Sequence, residues 1–91
     1  MSNTVVGGYG AFTTKLSPEA SQAFKEATER LLGVKYEPLA VAQQVVAGTN
    51  FAFFCNATIV VPGASPYPAM LTVYKPLEGP ASVIHIQRLS Y

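Results

Sequence analysis

The chain has 91 residues, of which 49% are hydrophobic and 11% aromatic, and six basic side chains nearly balance five acidic ones. That length holds one small hydrophobic core, and the composition excludes a disordered chain. The cations Lys15, Lys25, Arg30, Lys35, Lys75 and Arg88 are scattered and form no block, so neither a nucleic-acid partner nor a polybasic membrane contact is expected.

The first residues, "MSNTVVGGYG", lack the basic start and apolar stretch of a secretory signal. No apolar run approaches the ~20 residues that span a bilayer. Cys55 is the one cysteine and permits no internal disulfide, which suits a reducing compartment. A single domain over residues 1–91, placed in the cytoplasm, is the expectation.

In chain order, "YGAFTTK" (9–15) supplies a short first strand. "LSPEASQAFKEATERLLG" is the clear helix. Ser17 caps it, Pro18 fits the first turn where a missing N–H is harmless, and Glu19 suits the positive dipole end. Ala20, Ala23, Phe24, Ala27 and Leu31 recur at helical spacing, and Gly33 is a natural stop.

The remainder reads as strands. "YEPLAVAQQVV" runs into a turn at Gly48, and "FAFFCNATIVV" follows it. In the second run Phe51, Phe53, Cys55, Ala57, Ile59 and Val61 share one face at the period of two, while the other face is mixed. "PGASPYP" breaks the pattern, and "AMLTVYK" then leads through "PLEGP" into "ASVIHIQRL". Leu71 and Val73 face inward, and Ile84 and Ile86 form a second apolar pair. Sequential strands without intervening helices imply an antiparallel sheet, with the helix across one face. The fold class is α+β.

The residues offer little for catalysis. His85 and Cys55 are the only such residues of their types, and there is no aspartate. Cys55 lies on an apolar face and reads as a buried small hydrophobe, whereas His85 alternates with Ile84 and Ile86 and points the other way. No metal-ligand spacing is present. "GGYG" lacks the lysine and hydroxyl residue of a phosphate-binding loop. Tyr36, Tyr67, Tyr74 and Tyr91 read as ordinary amphipathic surface aromatics.

Apolar residues at turns are the unusual feature. "VVGG", "QVVAG" and "PLEGP" each set apolar side chains beside glycine, which lets a backbone approach another surface closely. In an antiparallel meander, the turns after "QQVV" and "TVYK" lie at one end, and the start of the chain reaches that end too. Three apolar tips in a row make a candidate binding edge.

Gln44-Val45-Val46-Ala47-Gly48 matches the Gln-x-Val-x-Gly motif of the cystatins, and "QVVAGTN" is the form typical of stefins, the intracellular type 1 cystatins. "LTVYKPLEG" resembles the stefin strand and second hairpin, with Glu78 where proline is common in a Leu-Pro-Gly loop. The helix beginning "SPEA" and the lone cysteine also agree, so the resemblance covers nearly the whole chain. It implies a cystatin-like fold, a four- to five-stranded antiparallel sheet wrapped around a single α-helix. It also implies a reversible, tight-binding inhibitor of papain-like cysteine proteases of papain and cathepsin type. Such a protein is not an enzyme and needs no cofactor or metal.

Carried over by position, Gly7 or Gly8 is the glycine of the N-terminal trunk, and Val5 and Val6 fill non-primed pockets of the protease. Gln44, Val45, Val46, Ala47 and Gly48 form the first loop, nearest the protease's catalytic cysteine. Leu77, Glu78, Gly79 and Pro80 form the second loop, on the primed side. Asn50 shapes the first hairpin. The resemblance further implies a monomer as the active form, with a domain-swapped dimer that hides the edge. The alternative is a non-inhibitory ligand- or protein-binding module on the same fold.

Overall fold

The computed structural model describes residues 8–89. One helix, α1 (Pro18–Thr28), precedes four strands: β1 (Val34–Val46), β2 (Gly48–Ile59), β3 (Tyr67–Lys75) and β4 (Ser82–Arg88). The strands form one antiparallel sheet in the order β1-β2-β3-β4, each paired with its neighbour in sequence. The α+β class follows directly. Among the described residues no helix is long and apolar enough to cross a membrane.

The helix begins as its sequence predicts. The Ser17 hydroxyl accepts the Ala20 N–H at 3.1 Å, and Pro18 and Glu19 occupy the first turn. It ends earlier than Gly33, at Thr28. There the Thr28 hydroxyl donates to the Phe24 carbonyl at 2.7 Å, and Leu31 N–H reaches back only to the Thr28 carbonyl, at 2.9 Å. These local bonds compete with continuation of the helix. Gly33, at φ +89°, instead turns the chain into β1.

The helix buries Ala20, Ala23 and Phe24 against Val41, Phe51, Phe53, Cys55, Leu71 and Val73. Phe24 meets the Phe53 ring edge-on at 4.9 Å, and Phe51 stacks beside Phe53 at 5.8 Å. The sheet contributes Val41 of β1 and odd-numbered side chains of β2 and β3, as the period of two requires. Phe53 and Leu71 are fully enclosed.

Three expectations are corrected by the packing. Residues 9–15 form no fifth strand: only an isolated bridge joins Thr13 to Val41, with Gly10 N–H donating to the Gln43 carbonyl at 2.8 Å. The Lys15 N–H turns onto the Thr13 hydroxyl at 3.1 Å, which diverts the chain from the sheet toward the helix cap. Ile59 and Val61 are exposed, because β2 ends at Ile59, beyond the cover of the helix. Ile84 and Ile86 are also exposed; a register shift between Thr72 and Val73 places Val83 opposite Val73, and Val83 is the β4 side chain that packs on the core.

Pro38 lies inside a strand without disrupting the sheet. It sits at a register shift in β1, an edge strand, where a missing N–H costs least. Because Phe53 contacts both Phe24 and Phe51, Phe53→Ala is expected to destabilise the domain by about 3–5 kcal/mol in urea unfolding. A loss below about 1 kcal/mol would contradict this packing.

Candidate functional site

The antiparallel order brings the β1–β2 turn and the β3–β4 loop to one end of the sheet. Val46 pairs with Gly48 across a turn that holds only Ala47, and Thr49 pairs with Lys75, so the two hairpins stand side by side. The bridge at Thr13 is antiparallel to β1, and Gly10 lies across from Gln43. The chain from Thr13 back to Gly8 therefore runs toward the same end. Val5, Val6 and Gly7 lie outside the described residues.

The first tip is apolar on both of its faces. Val45 is 74% exposed and Val46 40%. Successive side chains on a strand point to opposite faces, so the two valines flank the turn rather than share a side. Ala47 is exposed at the apex. In the second tip Leu77 is 80% exposed, and Glu78, Gly79 and Pro80 are exposed with it.

Gly48 is buried between the two hairpins and has φ +105°. A β-carbon there would fall on the Lys75 carbonyl oxygen and lie 3.0 Å from Pro76 Cα and 3.1 Å from the Tyr74 hydroxyl. Glycine is needed for the backbone angle and for the close approach. Gly48 is thus a spacer between the loops, with the exposed apolar surface supplied by its neighbours.

Side chains fasten this arrangement. The Tyr74 hydroxyl donates to the Ala47 carbonyl and ties β3 to the apex of the first turn. The Asn50 amide donates to Gln44 Oε1 at 2.8 Å across the β1–β2 ladder, which agrees with a hairpin-shaping role for Asn50. In the second loop Lys75 Nζ donates to the Gly79 carbonyl at 2.5 Å and the Pro76 carbonyl at 3.4 Å. The Ala81 N–H donates to Glu26 Oε1 at 3.0 Å, and Gln22 donates to Glu26 Oε2 at 3.1 Å. The helix therefore holds the far side of the second loop.

Tyr74, Lys75 and Glu26 do not stand out in the sequence. Their partners are distant in the chain, 27 residues for Tyr74–Ala47 and 55 for Glu26–Ala81. The one local signal is a tyrosine and lysine directly ahead of the Pro-Leu-Glu-Gly-Pro loop.

The chemistry-bearing residues do not converge. Cys55 is fully buried in the core, and burial pushes its thiol up to about 12. His85 is exposed and lies across from Thr72, on the sheet face opposite the core. Among the described residues no group of His, Cys, Asp or Glu side chains is placed to hold a metal ion. Tyr36 packs against the core, and Tyr67 lies under the Arg88 guanidinium at 4.1 Å. Tyr91 lies outside the described residues. In comparisons with known proteins, no family model and no curated protein sequence matches this chain.

The fastenings at Ala47 and Gly48 are open to substitution. Tyr74→Phe removes one hydrogen bond and is expected to cost about 0.5–1.5 kcal/mol in urea unfolding. Gly48→Ala forces both strain and overlap, so it is expected to cost more, about 1–3 kcal/mol or above. Equal losses would mean that the close approach at Gly48 is unimportant.

The contact between Glu26 and Ala81 is expected to depend on acid. Hydrogen bonds from Ala81 and Gln22, with Lys75 nearby, hold the Glu26 carboxyl below its ordinary range. A depressed folded pKa stabilises the fold above the unfolded value, and that contribution is lost as pH falls through the folded value. The stability difference between wild type and Glu26→Ala is expected to be largest near neutral pH and to close in acid. A difference independent of pH would show that the carboxylate charge is not what holds Ala81.

Proposed function

We propose that the chain is a reversible, tight-binding inhibitor of papain-like cysteine proteases, which occludes the active-site cleft with an N-terminal trunk and two hairpin loops. The observation that carries this reading is the apolar edge: Val45, Val46 and Leu77 are exposed on adjacent hairpins, and the described start of the chain runs toward them. The cystatin-type motif at residues 44–48 occupies the first of these tips, and the stefin-like second loop occupies the other. One helix on a four-stranded antiparallel sheet is the architecture that a cystatin-like fold would have.

The physics supports inhibition by occlusion. Large apolar side chains that stand out from a pre-formed support lose little entropy on burial, so contact area converts efficiently into affinity. A glycine in the trunk would let the chain bend away from the protease's nucleophile, presenting no scissile carbonyl to it. The inhibitor contributes shape and apolar surface, and no covalent step is required. A dimer exchanging strands across the Ala47 turn would open the first loop and abolish the edge.

The test is inhibition of papain and a small cathepsin panel by the purified protein. Submicromolar, reversible inhibition is expected. Val45→Asp combined with Val46→Asp is expected to weaken it by roughly a hundredfold, the effect of losing hot-spot contacts. Removal of residues 1–7 is expected to weaken it as well. The double valine variant should melt close to wild type, since Val45 and Val46 are exposed and lie outside the core. Unchanged papain activity at micromolar protein would overturn the reading and leave a non-inhibitory binding module as the better account.

A further inference from the structure

We propose that Glu78 selects the partner: within the inhibitory reading, on which this rests, the second loop favours a papain-like protease with a cationic side chain on the rim that this loop meets. Across residues 44–48 and 77–80, Glu78 is the one formal charge. It stands in an exposed loop beside Leu77, and Gly79 at φ +112° tightens the turn behind it. Among the described residues nothing pairs with its carboxylate.

The nearest cation in sequence, Lys75, is engaged by the loop backbone and does not pair with Glu78. Lys75 Nζ is drawn back onto the Gly79 and Pro76 carbonyls inside the loop, and its charge acts on Glu26. The Lys75 ammonium is thus occupied by backbone carbonyls of the loop, whereas the Glu78 carboxylate has no partner among the described residues. Leu77 supplies apolar contact, while the neighbouring carboxylate must lose water as the edge docks. An unpaired carboxylate is costly to desolvate, whereas a cation on the opposing rim offsets the cost. One charge then rejects neutral and acidic rims as well as attracting basic ones.

The experiment compares wild type, Glu78→Gln and Glu78→Lys against papain and cathepsin-type proteases sorted by the charge of that rim. Association and dissociation rates are measured at low and high ionic strength. With basic-rimmed proteases, Glu78→Gln is expected to weaken inhibition roughly two- to fivefold. Glu78→Lys should weaken it by about tenfold, mostly through slower association, and salt should shrink both effects. With neutral- or acidic-rimmed proteases, Glu78→Gln is expected to match or improve on wild type.

Inhibition that remains intact with the same protease ranking for all three proteins would overturn the role of Glu78 alone. Absence of inhibition by wild type would overturn the inhibitory reading and this refinement together. Glu78 is exposed, so both variants are expected to fold, and thermal melts verify that.

Discussion

The two hairpins depend on one close approach, the backbone of Gly48 against the Lys75 carbonyl and Pro76. With any β-carbon at that point the strands would separate, the Tyr74 hydroxyl would lose its reach to the Ala47 carbonyl, and the loops would move independently. Glycine therefore acts through what it omits. The resulting contact converts two marginal loops into one supported edge, because Tyr74 of the second hairpin fastens the apex of the first. Isolated two-stranded hairpins are weakly stable in water, so this bracing matters most at the tips, where the core no longer reaches.

Beneath the edge, the core supplies a stiff base. Phe24, Phe51 and Phe53 interlock, and the helix they anchor carries Glu26 to the start of β4. One helix thus performs two tasks. Its apolar stripe covers the sheet, and a polar side chain on its flank restrains the second loop. The first loop is held from β3 and the second from both β3 and α1, so the edge is tied to two elements of the domain.

Much of this was legible in the sequence where the controlling interactions are local or periodic. The Ser17 cap, the alternation of Phe51, Phe53, Cys55 and Ala57, and the turn at Gly48 all rest on near neighbours in the chain. Where distant groups or competing local bonds decide, the reading fell short. Thr28 and Thr13 each redirected the backbone through their hydroxyls, shortening the helix and leaving a bridge in place of a first strand. The register shift beside Val73 changed which β4 side chain reaches the core, and no pattern within β4 announces that shift. The apolar tips were visible, but Tyr74, Lys75 and Glu26, which hold them together, were not.

That division bears on how such an edge would bind. Residues at the tips determine what is offered to a partner, while residues behind them determine how much disorder the partner must remove. An exposed Val45 on a mobile turn would lose much of its burial energy to ordering of the backbone. The same valine on a turn fastened at Ala47 and spaced at Gly48 keeps more of it. The engagement of Lys75 follows the same logic, since one ammonium group stiffens the second loop through its carbonyls and leaves the Glu78 carboxylate unpaired among the described residues. Under the proposed reading, affinity would come from the apolar tips and their bracing, and discrimination from a single carboxylate.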